Sequence, residues 1–315
     1  MTDSSGWSSP DRGTGPQPPQ YPQFPQHPES GGGFRGQPGV IPLRPLGVGE
    51  ILDGAISTMR KYAGLVFGAS AVVALISSAL SLAVGVWLFD NVEPLVVNPN
   101  ASQQEQLDQL LSQLGDVLAA NSVVLVISVL TQTFLTGLLM VVVGKAVLGQ
   151  PITLGEAWAE LRPRLLPLLG LTILVTVIVM VGTILLIIPG IVAYVFLSLT
   201  TPALILERGR VRTSLSRSPA LVRGSWWRVF GILLLAVVIA FVISLIIQVP
   251  FTLAGAGDIG TAASATELLI GELGYALAQT ITVPFVSGVT ALLYIDQRMR
   301  REGLDIELAR AAEGA

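Results

Sequence analysis

The sequence contains no cysteine and only one histidine, His27, which lies in a stretch dominated by proline and glutamine. The lack of cysteine excludes disulfides, thiolate catalysis and cysteine metal sites, and His27 alone gives no reason to expect a histidine-based active site. Charge is scarce as well: 12% of the 315 residues are charged, about half of the roughly 25% that is usual in soluble domains. Because 51% of the residues are hydrophobic and the mean hydropathy is +0.69, we predict that lipid is the main solvent of this chain.

A strong charge imbalance and an apolar leader are also missing. The net charge of −3 is too small to indicate a nucleic-acid partner, and no hydrophobic stretch opens the chain as it would in a signal peptide. Residues 1–41 are instead rich in proline, glutamine, glycine and serine, a composition that predicts a disordered tail. A ligand for a proline-binding module is the alternative interpretation of the tail, and a membrane domain is expected over residues 42–312.

Long apolar runs dominate the rest of the sequence. A membrane core about 30 Å thick requires roughly 20 apolar residues per helix, and six stretches meet this requirement: 64–89, 117–144, 165–188, 190–206, 229–254 and 268–295. Residues 165–206 carry no charge over 42 positions, so the motif "IIPGI" (187–191) is expected to divide them into two helices of a tight hairpin. The predicted fold is an all-α integral membrane protein with six transmembrane helices.

The basic residues are distributed asymmetrically around these six spans. The segments before span 1, between spans 2 and 3, between spans 4 and 5, and after span 6 hold all 18 Lys and Arg residues, whereas the opposite segments hold acids and no base. Lys and Arg concentrate in cytoplasmic loops. The pattern therefore predicts that both termini lie in the cytoplasm.

Three amphipathic segments lie on the basic side, each just before a pair of spans: 48–61, 153–162 and 211–228. Helices with a basic polar face and an apolar face lie in the headgroup plane, and anionic lipids add about 1 kcal/mol per well-placed base. We therefore predict about three interfacial helices on the cytoplasmic side and membrane lipids, anionic ones included, as partners. The arrangement also suggests a weak repeat of one interfacial helix followed by two spans.

The charged and aromatic residues of these segments, together with those after span 6, are the candidate lipid-contacting or ion-pairing residues. They are Glu50, Asp53, Arg60, Lys61, Arg217, Arg223, Trp226, Trp227, Arg228, Asp296, Arg298, Arg300 and Arg301. The two tryptophans beside Arg228 are typical of an interfacial anchor, and Pro219 is expected to interrupt the third helix or to begin its second part.

A narrower prediction concerns the two segments that flank the membrane domain. "GEILDG" brings Glu50 and Asp53 to the inner surface, and "YIDQRMRRE" brings Arg298, Arg300 and Arg301 to the same level. We predict at least one ion pair between these segments. An exposed ion pair contributes at most about 1 kcal/mol, so its role would be to orient the two segments.

The loop between spans 1 and 2 contains a further helical signal. "SQQEQLDQLLSQLG" (102–115) begins with Ser102 and Glu105, a capping-box pair, and continues with leucines at helical spacing. A short separate helix resting on the outer ends of the spans is expected there. Ser264 and Glu267 form a similar pair, which is expected to open span 6.

Residue combinations that carry chemistry are missing from the apolar part. No nucleophile accompanies a base, no glycine-rich loop precedes a helix as in nucleotide sites, and no metal-ligand cluster occurs, so neither enzymatic activity nor a cofactor is predicted. Broken helices near the membrane centre form substrate sites in transporters. Pro202, Gln279 and Pro284 lie deep enough in spans 4 and 6 for this purpose, and a transporter or lipid translocase is the alternative hypothesis.

Three motifs together resemble one bacterial family. They are "RPLGVGEILDGAI" (44–56), "PALILERGRVRTSLSRSPALVRGSWWRVFGI" (202–232) and "LLYIDQRMRREGLDIELARAA" (292–312). The chain resembles the glycerophosphoryl diester phosphodiesterase membrane-domain family over about residues 42–312. Some members of that family carry a soluble phosphodiesterase barrel with His and Glu metal-site motifs, which have no counterpart here, so the resemblance implies a stand-alone multi-pass member without that activity.

The sequence as a whole predicts a non-enzymatic multi-pass protein of the bacterial cytoplasmic membrane. Its expected role is to bind lipids or a membrane-protein partner. Small residues in span 1, among them Ser70, Ala74 and Ser77, favour close helix contact within the chain or between copies, so a homo-oligomer is a further expected assembly.

Overall fold

The computed structural model describes residues 44–91, 102–255 and 265–303, all of which belong to one compact unit. These residues form ten α-helices and one turn of 3₁₀ helix, Arg162–Arg164. The α-helices are α1 Val48–Lys61, α2 Ala63–Asn91, α3 Gln103–Val147, α4 Leu154–Leu161, α5 Leu165–Leu185, α6 Ile187–Leu197, α7 Thr200–Leu206, α8 Val211–Val222, α9 Trp226–Ala254 and α10 Ala265–Glu302. No β-strand occurs among the described residues.

Six helical stretches are long and apolar enough to cross a membrane: Ala63–Val84, Ser122–Val147, Leu154–Leu185, Ile187–Leu206, Trp226–Ala254 and Thr266–Glu302. The predicted class, an all-α membrane fold with six spans, is confirmed. The predicted tail, 1–41, and the capping residue Ser264 lie outside the described residues.

The last span, α10, is the centre of the bundle. Its apolar window is 67% buried, against 22% for the window of α9 and 11% for that of Leu154–Leu185. Helices α1, α2, α3 and α9 pack against α10, and α5 and α6 form a hairpin that is less embedded. The apolar outer faces of α5 and α9 suit a lipid surrounding, because a helix that exposes apolar side chains to water would be unfavourable.

The first amphipathic helix packs its apolar face into the bundle. Ile51 and Ala55 of α1 are fully buried, and a Cβ at Gly288 of α10 would lie 3.1 Å from the Ala55 Cβ. The absence of a side chain at Gly288 thus allows α1 and α10 to approach closely. Because the apolar face of α1 is turned towards α10, its polar face is turned away from it.

The prediction of a separate short helix between spans 1 and 2 is wrong, because these residues form the first part of α3. Ser102 begins α3, and its Oγ accepts from Glu105 N at 3.3 Å while Glu105 Oε2 accepts from Ser102 N at 2.8 Å. This capping pair, as the sequence predicts, starts a helix. The helix then runs on for 45 residues into span 2, because no proline follows and Gly115 costs only about 1 kcal/mol relative to alanine.

Spans 3 and 4 form the predicted hairpin. The break falls at Leu186, whose backbone is extended at φ −163° and ψ 142°, one residue before the "IIPGI" motif. Pro189 then sits in the first turn of α6, where its missing N–H costs no helical hydrogen bond. A Cβ at Gly190 would lie 2.8 Å from the backbone of Thr183, so glycine allows the two helices to touch directly.

Span 4 is itself broken, at Ser198 and Leu199 between α6 and α7. The buried Ser218 of α8 repairs this break: its Oγ accepts from Leu199 N at 3.1 Å and donates to Phe196 O at 2.6 Å. Backbone groups freed inside a membrane protein require such partners. Helix α8 is therefore attached to span 4 through a specific side chain rather than only resting on the membrane surface.

The third amphipathic segment differs from the prediction in two ways. Pro219 lies inside α8 and does not interrupt it, because a proline this close to the helix end removes a single hydrogen bond. The helix stops at Val222, and Gly224 follows with a left-handed φ of +82°, a conformation that favours glycine. Trp226, Trp227 and Arg228 consequently belong to the first turn of span 5.

Candidate functional site

The polar residues gather at one end of the bundle, where Leu46, the start of α9 and the end of α10 meet. We call this the basic end. Asp296 of α10 is fully buried there and accepts from Leu46 N at 2.8 Å, Arg300 Nε at 2.9 Å and Arg228 Nη2 at 3.0 Å. Leu46 O in turn accepts from Arg228 at 2.7 Å and Arg300 at 2.8 Å. These four residues, the Asp296 cluster, join the residues before α1 to α9 and α10.

A second polar group joins α7, α8 and α10. Arg217 Nε donates to Glu207 at 3.0 Å, and the Arg217 guanidinium pairs with Glu302 at 2.7 Å. Arg298 approaches Glu207 at 3.4 Å and Glu302 at 3.0 Å, and the Tyr294 hydroxyl donates to Glu207. Burial by itself lowers the pKa of Arg217, but its bonds with Glu207 and the nearby charges outweigh burial and raise that pKa. These contacts fix α8 against α7 and α10.

The predicted ion pair between the flanking segments is wrong: among the described residues, neither Glu50 nor Asp53 pairs with an arginine at the end of α10. Glu50 pairs instead with Arg44 at 2.5 Å and accepts from Gly47 N at 2.7 Å, so its carboxylate caps α1. Asp53 is exposed and forms no ion pair within the described ranges. The polar face of α1 is turned away from α10. The link between the segments exists, but it uses the Leu46 backbone.

The other candidate residues remain at the surface of the basic end. Arg60 and Lys61 are exposed at the end of α1, with Lys61 Nζ 5.7 Å from the centre of the Tyr62 ring. Arg223 is exposed beside Gly224, at which a Cβ would meet the Arg301 guanidinium at 2.7 Å. These bases give the surface its positive charge.

Three aromatic rings form a shelf next to these bases. Trp226 stacks on Phe230 with ring centres 5.1 Å apart, and Trp227 meets Trp226 edge to face at 4.7 Å. Trp227 is 78% exposed. A large exposed indole at the start of a span is typical of a side chain that lies at the headgroup level.

A pocket of about 290 Å³ lies between α3, α4, α7 and α10 at this end. Three bases line it, Lys145, Arg208 and Arg298, against the one carboxylate of Glu160. We call this the basic pocket. Its remaining wall includes the apolar side chains of Val141, Leu206 and Ile295, so a polar and an apolar region adjoin.

The bases of the basic pocket differ in how far they are neutralised. Arg298 pairs with Glu207 and Glu302, and Arg208 pairs with Glu160 at 2.9 Å. Lys145 Nζ bonds to the neutral amide of Gln150 at 3.1 Å and interacts with the charge of Glu156 without forming an ion pair with it. Arg208 also has a φ of 55°, a left-handed conformation that is uncommon for any residue other than glycine. Strained backbone clusters at functional sites, and here it directs the chain sharply out of α7.

Sequence reasoning missed most of the basic pocket. Lys145 and Arg208 are far apart in the chain, and only the packing of α3 against α7 brings them together. The one available signal was the isolated Lys145 at the end of an otherwise uncharged span. Of the candidate residues named from sequence, Arg298 alone reaches this pocket.

A second hollow lies about halfway along the spans. Gln132 and Thr136 of α3, Thr172 and Thr176 of α5, Thr201 of α7 and Gln279 of α10 line it. We call it the middle cavity. Thr201 and Gln279 lie near Pro202 and Pro284, the prolines that the alternative hypothesis relies on. Among the residues that the structure describes, no group of three or more His, Cys, Asp or Glu side chains is placed to hold a metal ion.

Comparison with known proteins gives one match. A family model described as a domain of unknown function, DUF7847, matches residues 175–296, which includes α6 to α9, most of α10 and Asp296. No curated protein and no solved structure matches the chain. The match includes Arg208, Ser218, Arg228 and Asp296 but neither Leu46 nor Arg300, and it assigns no activity to any of them.

Proposed function

We propose that this chain is a multi-pass membrane module that binds an anionic lipid headgroup in the basic pocket. The observation that carries the proposal is the pocket of about 290 Å³ that Lys145, Arg208 and Arg298 line; Arg208 and Arg298 have carboxylate partners, whereas Lys145 forms no ion pair among the described residues. Arg and Lys bind phosphate through charge-assisted hydrogen bonds, and Lys145 has no carboxylate partner among the described residues. A phosphate would supply the missing negative charge.

The apolar wall of the pocket favours a lipid over a free anion. Val141, Leu206 and Ile295 continue the pocket towards the spans, and Leu148 beside them is 46% exposed. A phospholipid could place its phosphate among the bases and its acyl chains along these side chains. The exposed Trp227 and the bases around Gly224 then hold the same end of the protein at the membrane surface.

The proposed location is the bacterial cytoplasmic membrane, with the basic end and both termini in the cytoplasm. The support is the charge asymmetry, since every Lys and Arg lies on one side of the six spans. This places the basic pocket in the leaflet that carries anionic lipids. A C-terminal reporter enzyme that is active only outside the cytoplasm would contradict this orientation.

The proposed module is not an enzyme. It is proposed as a stand-alone relative of the glycerophosphoryl diester phosphodiesterase membrane-domain family, on the strength of the motifs at residues 44–56, 202–232 and 292–312. Assembly with itself or with another membrane protein remains part of the proposal. Ser70, Ala74 and Ser77 of α2 are buried inside the chain itself. Contacts with a second copy or with another protein would therefore use other surfaces.

Native mass spectrometry of the purified protein tests the lipid proposal. We expect phosphatidylglycerol to bind the protein at a lower lipid concentration than phosphatidylcholine with the same acyl chains. The expected difference is at least tenfold. Both lipids carry a phosphate, but the choline cation of phosphatidylcholine is repelled by the bases of the pocket, and each base near the membrane surface contributes about 1 kcal/mol to the attraction of an anionic lipid. Equal retention of the two lipids would refute the proposal.

The middle cavity favours a second candidate function, a transporter or lipid translocase. Its lining includes Gln279 of α10 and Thr201 of α7, beside the prolines of spans 4 and 6. The thinly packed α5–α6 hairpin forms one wall, and displacement of this hairpin would open the cavity to one side. Flux of a fluorescent lipid between the leaflets of vesicles that contain the protein is the measurement that separates this candidate from a binding module.

A further inference from the structure

The middle cavity consists of two adjoining hollows of about 450 and 430 Å³. They share Gln132, Thr136, Thr172, Thr176, Thr201 and Gln279. Volumes of this size fall within the roughly 300–1,000 Å³ that is usual for small-molecule sites. The shared residues belong to spans 2, 3, 4 and 6, so the cavity lies between the spans, and Met140 of its larger hollow adjoins Val141 of the basic pocket.

The lining carries no charge and combines polar side chains with apolar ones. Of the 22 residues that line the larger hollow, 13 carry a hydroxyl or an amide side chain, and none of the described lining residues of either hollow is an acid or a base. Ser, Thr and Gln between packed membrane helices ordinarily bond across to the neighbouring helix, and among the described residues no side chain of the cavity lining makes a hydrogen bond to another span. Polar groups converging from α3, α5, α7 and α10 therefore indicate a site rather than ordinary packing.

One buried hydroxyl of the lining has no partner among the described residues. Thr133 is 5% exposed, lines the smaller hollow, and its Oγ1 makes no hydrogen bond. Other threonines of the lining bond back to their own helix, as Thr282 Oγ1 does with Ala278 O at 2.9 Å. Within the described residues, Thr136 and Thr172 make no such side-chain bond. Buried hydroxyls without partners are unfavourable, and a ligand that bonds to them would relieve this.

The chemistry of the lining selects the ligand. A charged group would be buried without an opposite charge, which is strongly unfavourable, and a bare acyl chain would leave the hydroxyls unbonded. We propose that the middle cavity binds an uncharged, hydroxyl-rich group, such as a sugar or glycerol headgroup. Such a group both donates and accepts, as Thr and Gln side chains do. This inference uses other residues than the anionic-lipid proposal and does not rest on it.

One side of the cavity favours a ligand that arrives from the bilayer. Thr176 of α5 is exposed, and Tyr194 of α6 and Phe241 of α9 are 43% and 61% exposed. All three line the larger hollow. An opening framed by exposed apolar and amphipathic side chains suits a headgroup whose acyl chains remain in the membrane. Free sugar in solution is the other source of the same chemistry, and the experiment distinguishes the two.

The test uses the full-length protein in nanodiscs of phosphatidylcholine that contain a small fraction of monoglucosyl diacylglycerol with the same acyl chains. Native mass spectrometry measures the lipid retained when the protein is released, and glucose is added to parallel samples. We expect wild type to retain the glucosyl lipid over phosphatidylcholine. The double variant Thr136→Val, Thr172→Val should retain it about tenfold less, because two hydrogen bonds are lost.

Thr252→Val is the matched control, since Thr252 is exposed on α9 outside both hollows. It should retain the glucosyl lipid as wild type does. Binding of glucose that the double variant abolishes would support the same site with a soluble ligand. No enrichment of the glucosyl lipid and no binding of glucose would overturn the inference, as would equal enrichment in a folded double variant.

Discussion

Asp296→Asn is expected to destabilise the protein by about 3 kcal/mol, towards the lower end of the range for a broken buried ion pair. Asp296 is fully buried, whereas Arg228 and Arg300 keep 28% and 36% of their side-chain surface exposed. Asparagine fits the space but leaves two guanidiniums facing an amide instead of a carboxylate. Because solvent still reaches both arginines, their desolvation is incomplete and the effect stays below the upper limit of about 5 kcal/mol.

Equilibrium unfolding in detergent, followed by tryptophan fluorescence, measures this loss. Asp53→Asn is the matched control: the same atoms change, but Asp53 is exposed on α1, and surface substitutions usually change stability by less than about 0.5 kcal/mol. Hydrogen exchange adds a local measurement, since the Leu46 amide donates to Asp296 and should exchange faster in Asp296→Asn. If the two variants unfold alike, the Asp296 cluster does not hold the bundle together.

The double variant Lys145→Gln, Arg208→Gln is expected to bind phosphatidylglycerol about 30-fold more weakly than wild type. Each base near the membrane surface contributes about 1 kcal/mol to the attraction of an anionic lipid, and about 1.4 kcal/mol corresponds to a tenfold change in affinity. Both bases line the basic pocket. Phosphatidylcholine binding should change little, because its headgroup has no net charge.

The control removes the same two charges elsewhere at the basic end. Arg210→Gln, Arg212→Gln changes two exposed bases that do not line the pocket. Lipid affinity measured by native mass spectrometry, with a melting curve for each variant, separates a specific site from a general positive surface. A loss of equal size in both double variants would mean that total charge, and not the pocket, determines binding.

The sequence predicts the elements of this fold better than the contacts between them. The six spans follow from runs of uncharged residues, and the helix starts at Ser102 and Thr153 follow from capping pairs that the structure contains. These signals are local. Gly115 and Pro219 show their limit, since a glycine or a proline that weakens a helix does not end it at either position.

The parts that could not be predicted depend on contacts between residues distant in the chain. The break between α6 and α7 lies where Pro202 cannot donate to the carbonyl of Ser198, but its satisfaction by Ser218, 19 positions after Leu199, has no local signal. Asp296 binds the Leu46 amide across 250 positions. For the same reason the basic pocket could not be predicted, because Lys145 and Arg208 become neighbours only when α3 and α7 pack.

Photocrosslinking with a phosphatidylglycerol that carries a photoactivatable group near its phosphate tests the central proposal most directly. The protein is irradiated in nanodiscs, digested, and the lipid-bearing peptides are identified by mass spectrometry. We expect the lipid on residues 141–148 and 205–208, which form two walls of the basic pocket, and we expect Lys145→Gln, Arg208→Gln to abolish this labelling. Labelling confined to the aromatic shelf of Trp226, Trp227 and Phe230, or spread evenly along the exposed faces of α5 and α9, would contradict a headgroup site in the basic pocket.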